Sequence, residues 1–178
     1  MENILQDIEK VLFTHEEIVE ASKRVAKQIE EDYKDKEPVL ICTLKGALPF
    51  MAELMKHIDI HVVTDFIDVS SYHGGTESTG TILIKKDVGM DIAGRDVIIV
   101  EDIVDTGATM KRMLETLGTR EPAGLHITTL LLKPGKLTVP LNIEYAAMEI
   151  PNDFIVGYGL DYDQEGRNLR DIYTLVQE

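Results

Sequence analysis

Two adjacent carboxylates, Glu101 and Asp102, stand just ahead of a run of small and hydroxylated residues, Asp105-Thr106-Gly107-Ala108-Thr109. The two groups suit different ligands. A glycine-bearing turn that opens a helix presents backbone N–H groups to an anion, and the hydroxyls of Thr106 and Thr109 suit a phosphate. Carboxylates repel a phosphate, but they accept hydrogen bonds from a sugar diol and hold a divalent cation directly or through water. A ribose phosphate with Mg²⁺ satisfies both. From this stretch alone, an ordinary loop with solvated acids reads the same.

The flanking residues put these groups where a ligand would bind. Val97 to Val100 is an unbroken β-branched run, which suits a strand buried on both faces of a parallel sheet. Glu101 and Asp102 should mark its end, and Met110 to Leu117 reads as the following helix. In open α/β sheets, ligands bind beyond the carboxyl ends of the strands.

Val97 to Thr109 resembles the phosphoribosyl-pyrophosphate motif of the type I phosphoribosyltransferases, and more narrowly their hypoxanthine-guanine branch. The resemblance extends from Val39 to Asp171. It implies that the 5′-phosphate sits at Asp105, Thr106, Gly107, Ala108 and Thr109, with Glu101 and Asp102 on the ribose diol and its Mg²⁺, and Asp105 as catalytic base. Leu44-Lys45-Gly46 matches the family's pyrophosphate loop, often built across a cis peptide, with Arg167 reaching the same group. Ala47 stands where many relatives carry another glycine. Lys133 matches a lysine that faces the six-oxo oxygen of the purine. Phe154 matches the ring that stacks on the base, Ile155 a backbone contact to its edge, and Asp161 a position near the base and a second metal. Ser71 and Tyr72 match the pair on a loop that closes over the reacting centre. Read without the resemblance, Lys133 and Arg167 are solvated cations, Phe154 is core, and Lys45-Gly46 is an ordinary turn.

The chain of 178 residues fits one domain. Its net charge of −14 and pI near 4.7 argue against a nucleic-acid surface, which needs clustered Lys and Arg. The single cysteine, Cys42, lies in an apolar run and cannot form an internal disulfide, so a cytoplasmic location is expected. No apolar run approaches membrane-spanning length, and the opening Met-Glu-Asn-Ile-Leu-Gln-Asp does not read as a signal peptide. The five histidines show no metal-ligand spacing, and Gly75 to Gly80 lacks the Lys and Ser/Thr of a phosphate-binding P-loop.

In chain order, Asp7 to Phe13 reads as a short edge strand. Thr14 and Glu17 form a capping box ahead of a helix whose Ile18, Ala21, Val25 and Ile29 share one face. Val39 to Leu44 is a buried strand and Pro49 opens a helix to about His57. Ile60 to Val69 and Thr81 to Lys85 flank a glycine- and hydroxyl-rich loop. Gly118 is a stop signal for the central helix. Leu125 to Leu132, Tyr145 to Ile150 and Asp171 to Val176 read as further strands.

The expected fold is α/β, with a mostly parallel, twisted sheet flanked by helices. The resemblance implies a core of about five strands over residues 38–150 and a small hood from residues 1–13 and 151–178. The implied reaction converts phosphoribosyl pyrophosphate and hypoxanthine or guanine to IMP or GMP and pyrophosphate, in purine salvage. The family implies a homodimer or homotetramer. A xanthine-preferring transferase, or a non-catalytic nucleotide-sensing regulator on the same fold, are the rival readings. A receiver-type phosphoacceptor domain does not account for the Asp105–Thr109 turn.

Overall fold

The structure, a computed structural model, describes residues 4–71 and 82–176. Its elements run β1 (Ile8–Phe13), α1 (His15–Tyr33), β2 (Val39–Leu44), α2 (Leu48–Lys56), β3 (Val63–Ser71), β4 (Ile82–Lys86), β5 (Asp96–Val104), α3 (Ala108–Gly118), β6 (Gly124–Leu132), β7 (Tyr145–Glu149), β8 (Ile155–Val156) and β9 (Ile172–Leu175).

The main sheet has six strands in the order β4-β3-β2-β5-β6-β7. All neighbours are parallel except β3 and β4, so the expected parallel core carries one antiparallel edge strand. Two-residue periodicity divides the central strands between two cores. Leu40, Cys42, Ile98 and Val100 face one side, where α1 and α2 cover them. Val39, Ile41, Val97 and Ile99 face the other, against Met110, Met113 and Leu117 of α3. α1 is held in place by the Thr14–Glu17 capping box and buries Ile18, Ala21, Val25 and Ile29.

The two ends of the chain meet in a separate antiparallel sheet, β1-β9-β8. Ile4, Val156 and Leu175 fill its own small core.

Several boundaries differ from the sequence reading, such as β3, which runs Val63–Ser71 instead of Ile60 to Val69, and three lie around the central strand and helix. β5 does not stop at Val100 but continues to Val104, because β6 keeps pairing with it through Val104↔Leu132. α3 begins at Ala108, directly after Gly107. Gly118 is the last residue of that helix, and the left-handed residue beyond it is Glu121, φ 56°.

Candidate active site

The extension of β5 places the acid pair. β2 pairs with β5 only as far as Cys42↔Val100, while β6 pairs with it to the end. Glu101 and Asp102 therefore lie where β5 has lost its β2 neighbour, and the chain leaving β2 turns there through Lys45 and Gly46. That turn presses on the carboxylate: a Cβ on Gly46 would stand 1.6 Å from Asp102 Oδ2. The peptide between Leu44 and Lys45 is cis. Asp102 N–H donates to Glu101 Oε1 at 3.0 Å, and Asp102 Oδ1 accepts from Ile103 N–H at 2.8 Å. Burial, and then the charge of Asp102, push the Glu101 carboxyl well above the usual carboxylate range. Two crowded carboxyl groups, with Glu101 held toward its neutral form, are a donor set that a divalent cation fits. Among the described residues, no three His, Cys, Asp or Glu side chains are grouped to hold a metal. Behind the pair, burial pushes the Cys42 thiol up to about 12, so it is an inert core residue.

Asp105 follows β5 and is gripped from one side. The segment after β6 is zipped alongside it by two backbone bonds, Lys133 N–H to Val104 O and Thr138 N–H to Thr106 O, each 3.0 Å. Between these rungs Asp105 Oδ2 accepts from Lys136 Nζ at 2.9 Å, with Lys133 Nζ at 3.9 Å. Asp105 Oδ1 is buried and has no hydrogen-bond partner among the described residues. Lys133 is itself buried and donates to Asp153 O at 2.8 Å. Gly107 then turns with φ 81° into α3. A Cβ there would stand 2.6 Å from Leu141 Cδ1. Thr106 Oγ1 accepts from Ala108 N–H at 3.4 Å, and Ala108 and Thr109 open the first turn of the helix.

The hood contributes the third wall. Phe154 is 46% exposed, with the ring of Tyr162 edge-on at 5.4 Å. Ile155 is buried in β8. Gly159, φ 99°, lies so close to the β2 turn that a Cβ would stand 2.0 Å from Gly46 O. Arg167 Nη1 donates to Gly159 O at 2.8 Å, and Nη2 lies 2.7 Å from Asp161 Oδ1. Gln164 Oε1 accepts from Lys45 Nζ at 3.1 Å and from Arg167 Nη2 at 3.5 Å. Gln164 N–H donates to Asp161 Oδ2 at 2.8 Å.

The residues singled out in the sequence thus fall into three linked groups. Lys45 and Gly46 meet Asp102 on one side and the Gly159–Arg167 loop on the other. Asp105 to Thr109 meets Lys133. Lys133 reaches the carbonyl next to Phe154. Asp161 pairs with Arg167 in the hood loop. Ser71 ends β3, whereas Tyr72 and the rest of the expected closing loop lie outside the described residues. Sequence reasoning missed Lys136, Tyr162 and Gln164. Lys136 had a signal, its place three residues after Lys133 across a Pro-Gly turn. Gln164 had none.

A family model described as the phosphoribosyl transferase domain matches residues 10–163. A hypoxanthine-guanine phosphoribosyltransferase of Streptococcus pneumoniae is 52% identical over 172 residues, 97% of this chain and 96% of that protein. One from Streptococcus pyogenes is 49% identical over 173 residues, again 97% and 96% of the two chains. Among solved structures, a hypoxanthine phosphoribosyltransferase from Staphylococcus aureus superposes with a TM-score of 0.93 at 45% identity, covering 99% of this chain and 96% of that one.

Proposed function

This chain belongs to the phosphoribosyltransferase family, and from that premise we propose that it transfers the 5-phosphoribosyl group of phosphoribosyl pyrophosphate to hypoxanthine or guanine, giving IMP or GMP and pyrophosphate, a purine-salvage reaction. The observation that carries this reading is the meeting of an acid pair, a glycine turn into α3 and a buried lysine at the carboxyl ends of β5 and β6. No single ordinary loop needs all three.

In this reading the donor's 5′-phosphate occupies the Asp105–Thr109 turn, where the start of α3 offers N–H groups and a favourable dipole. Glu101 and Asp102 accept from the ribose diol. They are also the residues that would hold Mg²⁺, which supplies charge neutralisation for the leaving pyrophosphate. Lys45, the Gly46 backbone and Arg167 receive the pyrophosphate as its bond to C1′ breaks. The sugar then develops oxocarbenium character, and fixed carboxylates beside it stabilise that charge. Asp105 serves as base for the purine's imidazole nitrogens: it takes the proton from the ring, and the electron pair of an imidazole nitrogen forms the new bond to C1′. Phe154 stacks on the base, the Ile155 backbone meets its edge, and Asp161 would hold a second metal near the base. Ser71 and Tyr72 belong to the closing loop, which would exclude water from a centre that water would otherwise capture. The reading carries a cytoplasmic homodimer or homotetramer with it, checked by sizing the purified protein.

Lys133 sets the base preference. A protonated lysine donates and cannot accept, so it suits a six-oxo group and opposes the amino group of adenine. The test is to supply phosphoribosyl pyrophosphate, Mg²⁺ and each purine in turn and to follow nucleotide formation. Hypoxanthine and guanine should be converted and adenine should lag far behind. Absence of nucleotide with every base would overturn the reading, and comparable rates with adenine would remove Lys133 from the six-oxo contact.

A further inference from the structure

We infer that Lys136 is a positioning residue for the Asp105 carboxylate: its bond to Oδ2 fixes the plane in which the group meets the purine proton. The inference deepens the role of Asp105 as base and rests on it. A carboxylate rotates easily about its last bond, because that torsion is broad and two-fold. Unless one oxygen is pinned, the basic lone pair has no fixed direction, and positioned proton transfer loses its advantage. Lys133 does not do the pinning. Its Nζ is 3.9 Å from Oδ2, beyond hydrogen-bond reach, and already donates to Asp153 O at 2.8 Å. Lys136 Nζ makes the bond at 2.9 Å, and the other oxygen, Oδ1, is buried and without a partner among the described residues.

The local chain explains why the lysine reaches. Pro134–Lys136 is a 3-10 turn, with Lys136 N–H donating to Lys133 O at 3.1 Å. Three residues per turn put positions 133 and 136 on one face. The two backbone rungs, Lys133 to Val104 and Thr138 to Thr106, hold that face against Asp105 from both sides. The lysines then divide the work. Lys136 satisfies the carboxylate, which leaves Lys133 for the base instead of drawing it onto Asp105.

The experiment uses steady-state kinetics of the whole chain with Mg²⁺, phosphoribosyl pyrophosphate and hypoxanthine. Lys136→Met should lower kcat about tenfold or more, with both KM values held within about twofold, the pattern of an interaction that matters at the transition state. Lys136→Arg should restore most of the turnover. Asp105→Asn alone should cost roughly 10²- to 10⁴-fold, and adding Lys136→Met to it should cost little more, because the carboxylate to be aimed is gone. Lys136 is part-exposed, so thermal midpoints should hold across the series. Unchanged kcat in Lys136→Met beside a crippled Asp105→Asn would overturn the inference and leave the base assignment standing. A raised KM for phosphoribosyl pyrophosphate with intact kcat would also overturn it, making Lys136 a phosphate contact. Near-normal turnover in Asp105→Asn would remove the base assignment itself, and the inference with it.

Discussion

Lys133 combines a buried ammonium with a single firm acceptor, the Asp153 carbonyl. Burial holds its pKa below the usual lysine range. Asp105 opposes that shift and Lys136 adds to it. A donor to a six-oxo group works best as the ammonium, so kcat/KM for hypoxanthine should fall on the alkaline side before ordinary lysines titrate. The sign for folding runs the other way. Between the depressed folded value and the unfolded one, the native state binds fewer protons, so this group's contribution to stability rises with pH across that window. Lys133→Arg should move the alkaline limb of the rate profile out of range, since a guanidinium stays protonated. A limb unmoved by that substitution would belong to some other group. The matched residues were legible in the sequence because their types and spacing repeat a known motif. Gln164 was not, because a long polar side chain acquires its meaning from its partner, here one 119 positions away.

Elements were legible where burial imposes a period, and less so where partners set the limits. The β-branched run of β5 and the alternate facing of β2 follow from their sequence, but the reach of β5 to Val104 depends on β6 continuing beside it. That extra length puts Glu101 and Asp102 on a strand instead of a loop. The pairing of β1 with β9 joins chain ends that no local pattern connects, and only the family resemblance foretold it. The contact between the hood loop and the β2 turn is tight and has a clear weak point. Gly159 sits at φ 99°, and a Cβ would meet Gly46 O at 2.0 Å and Pro49 Cδ at 2.9 Å. The nearest obstacle is backbone and cannot swing aside. Gly159→Ala should therefore destabilise the fold by on the order of 1–3 kcal/mol from the backbone conformation alone, with the clash added. The displaced loop carries the carbonyl that holds Arg167. KM for phosphoribosyl pyrophosphate should rise several-fold while KM for hypoxanthine moves little. Urea unfolding and steady-state kinetics check the two halves, and an unchanged midpoint would show that the loop and turn part freely.

At the scale of the whole molecule, charge is distributed unevenly. The chain carries a net charge of −14, yet Lys45, Lys133, Lys136 and Arg167 gather around the carboxyl ends of β2, β5 and β6 and the adjoining hood loop. A few cations in contact range act on a small anion that enters among them, where solvent screens little. Beyond about 10 Å at moderate salt, the field of the acidic surface is what a ligand meets first. A compact phosphorylated sugar, its charge offset by Mg²⁺, passes that barrier. A nucleic acid does not, because its affinity comes from many Lys and Arg contacts spread along the backbone, each releasing counterions. This separates the enzyme from a regulator on the same fold acting through DNA or RNA. Electrophoretic mobility assays with double-stranded DNA and single-stranded RNA at low salt should show no shifted band, the condition that most favours such binding. A shift that weakens steeply as salt is added would reveal a basic track that the charge distribution does not contain, and would bring the regulatory reading back.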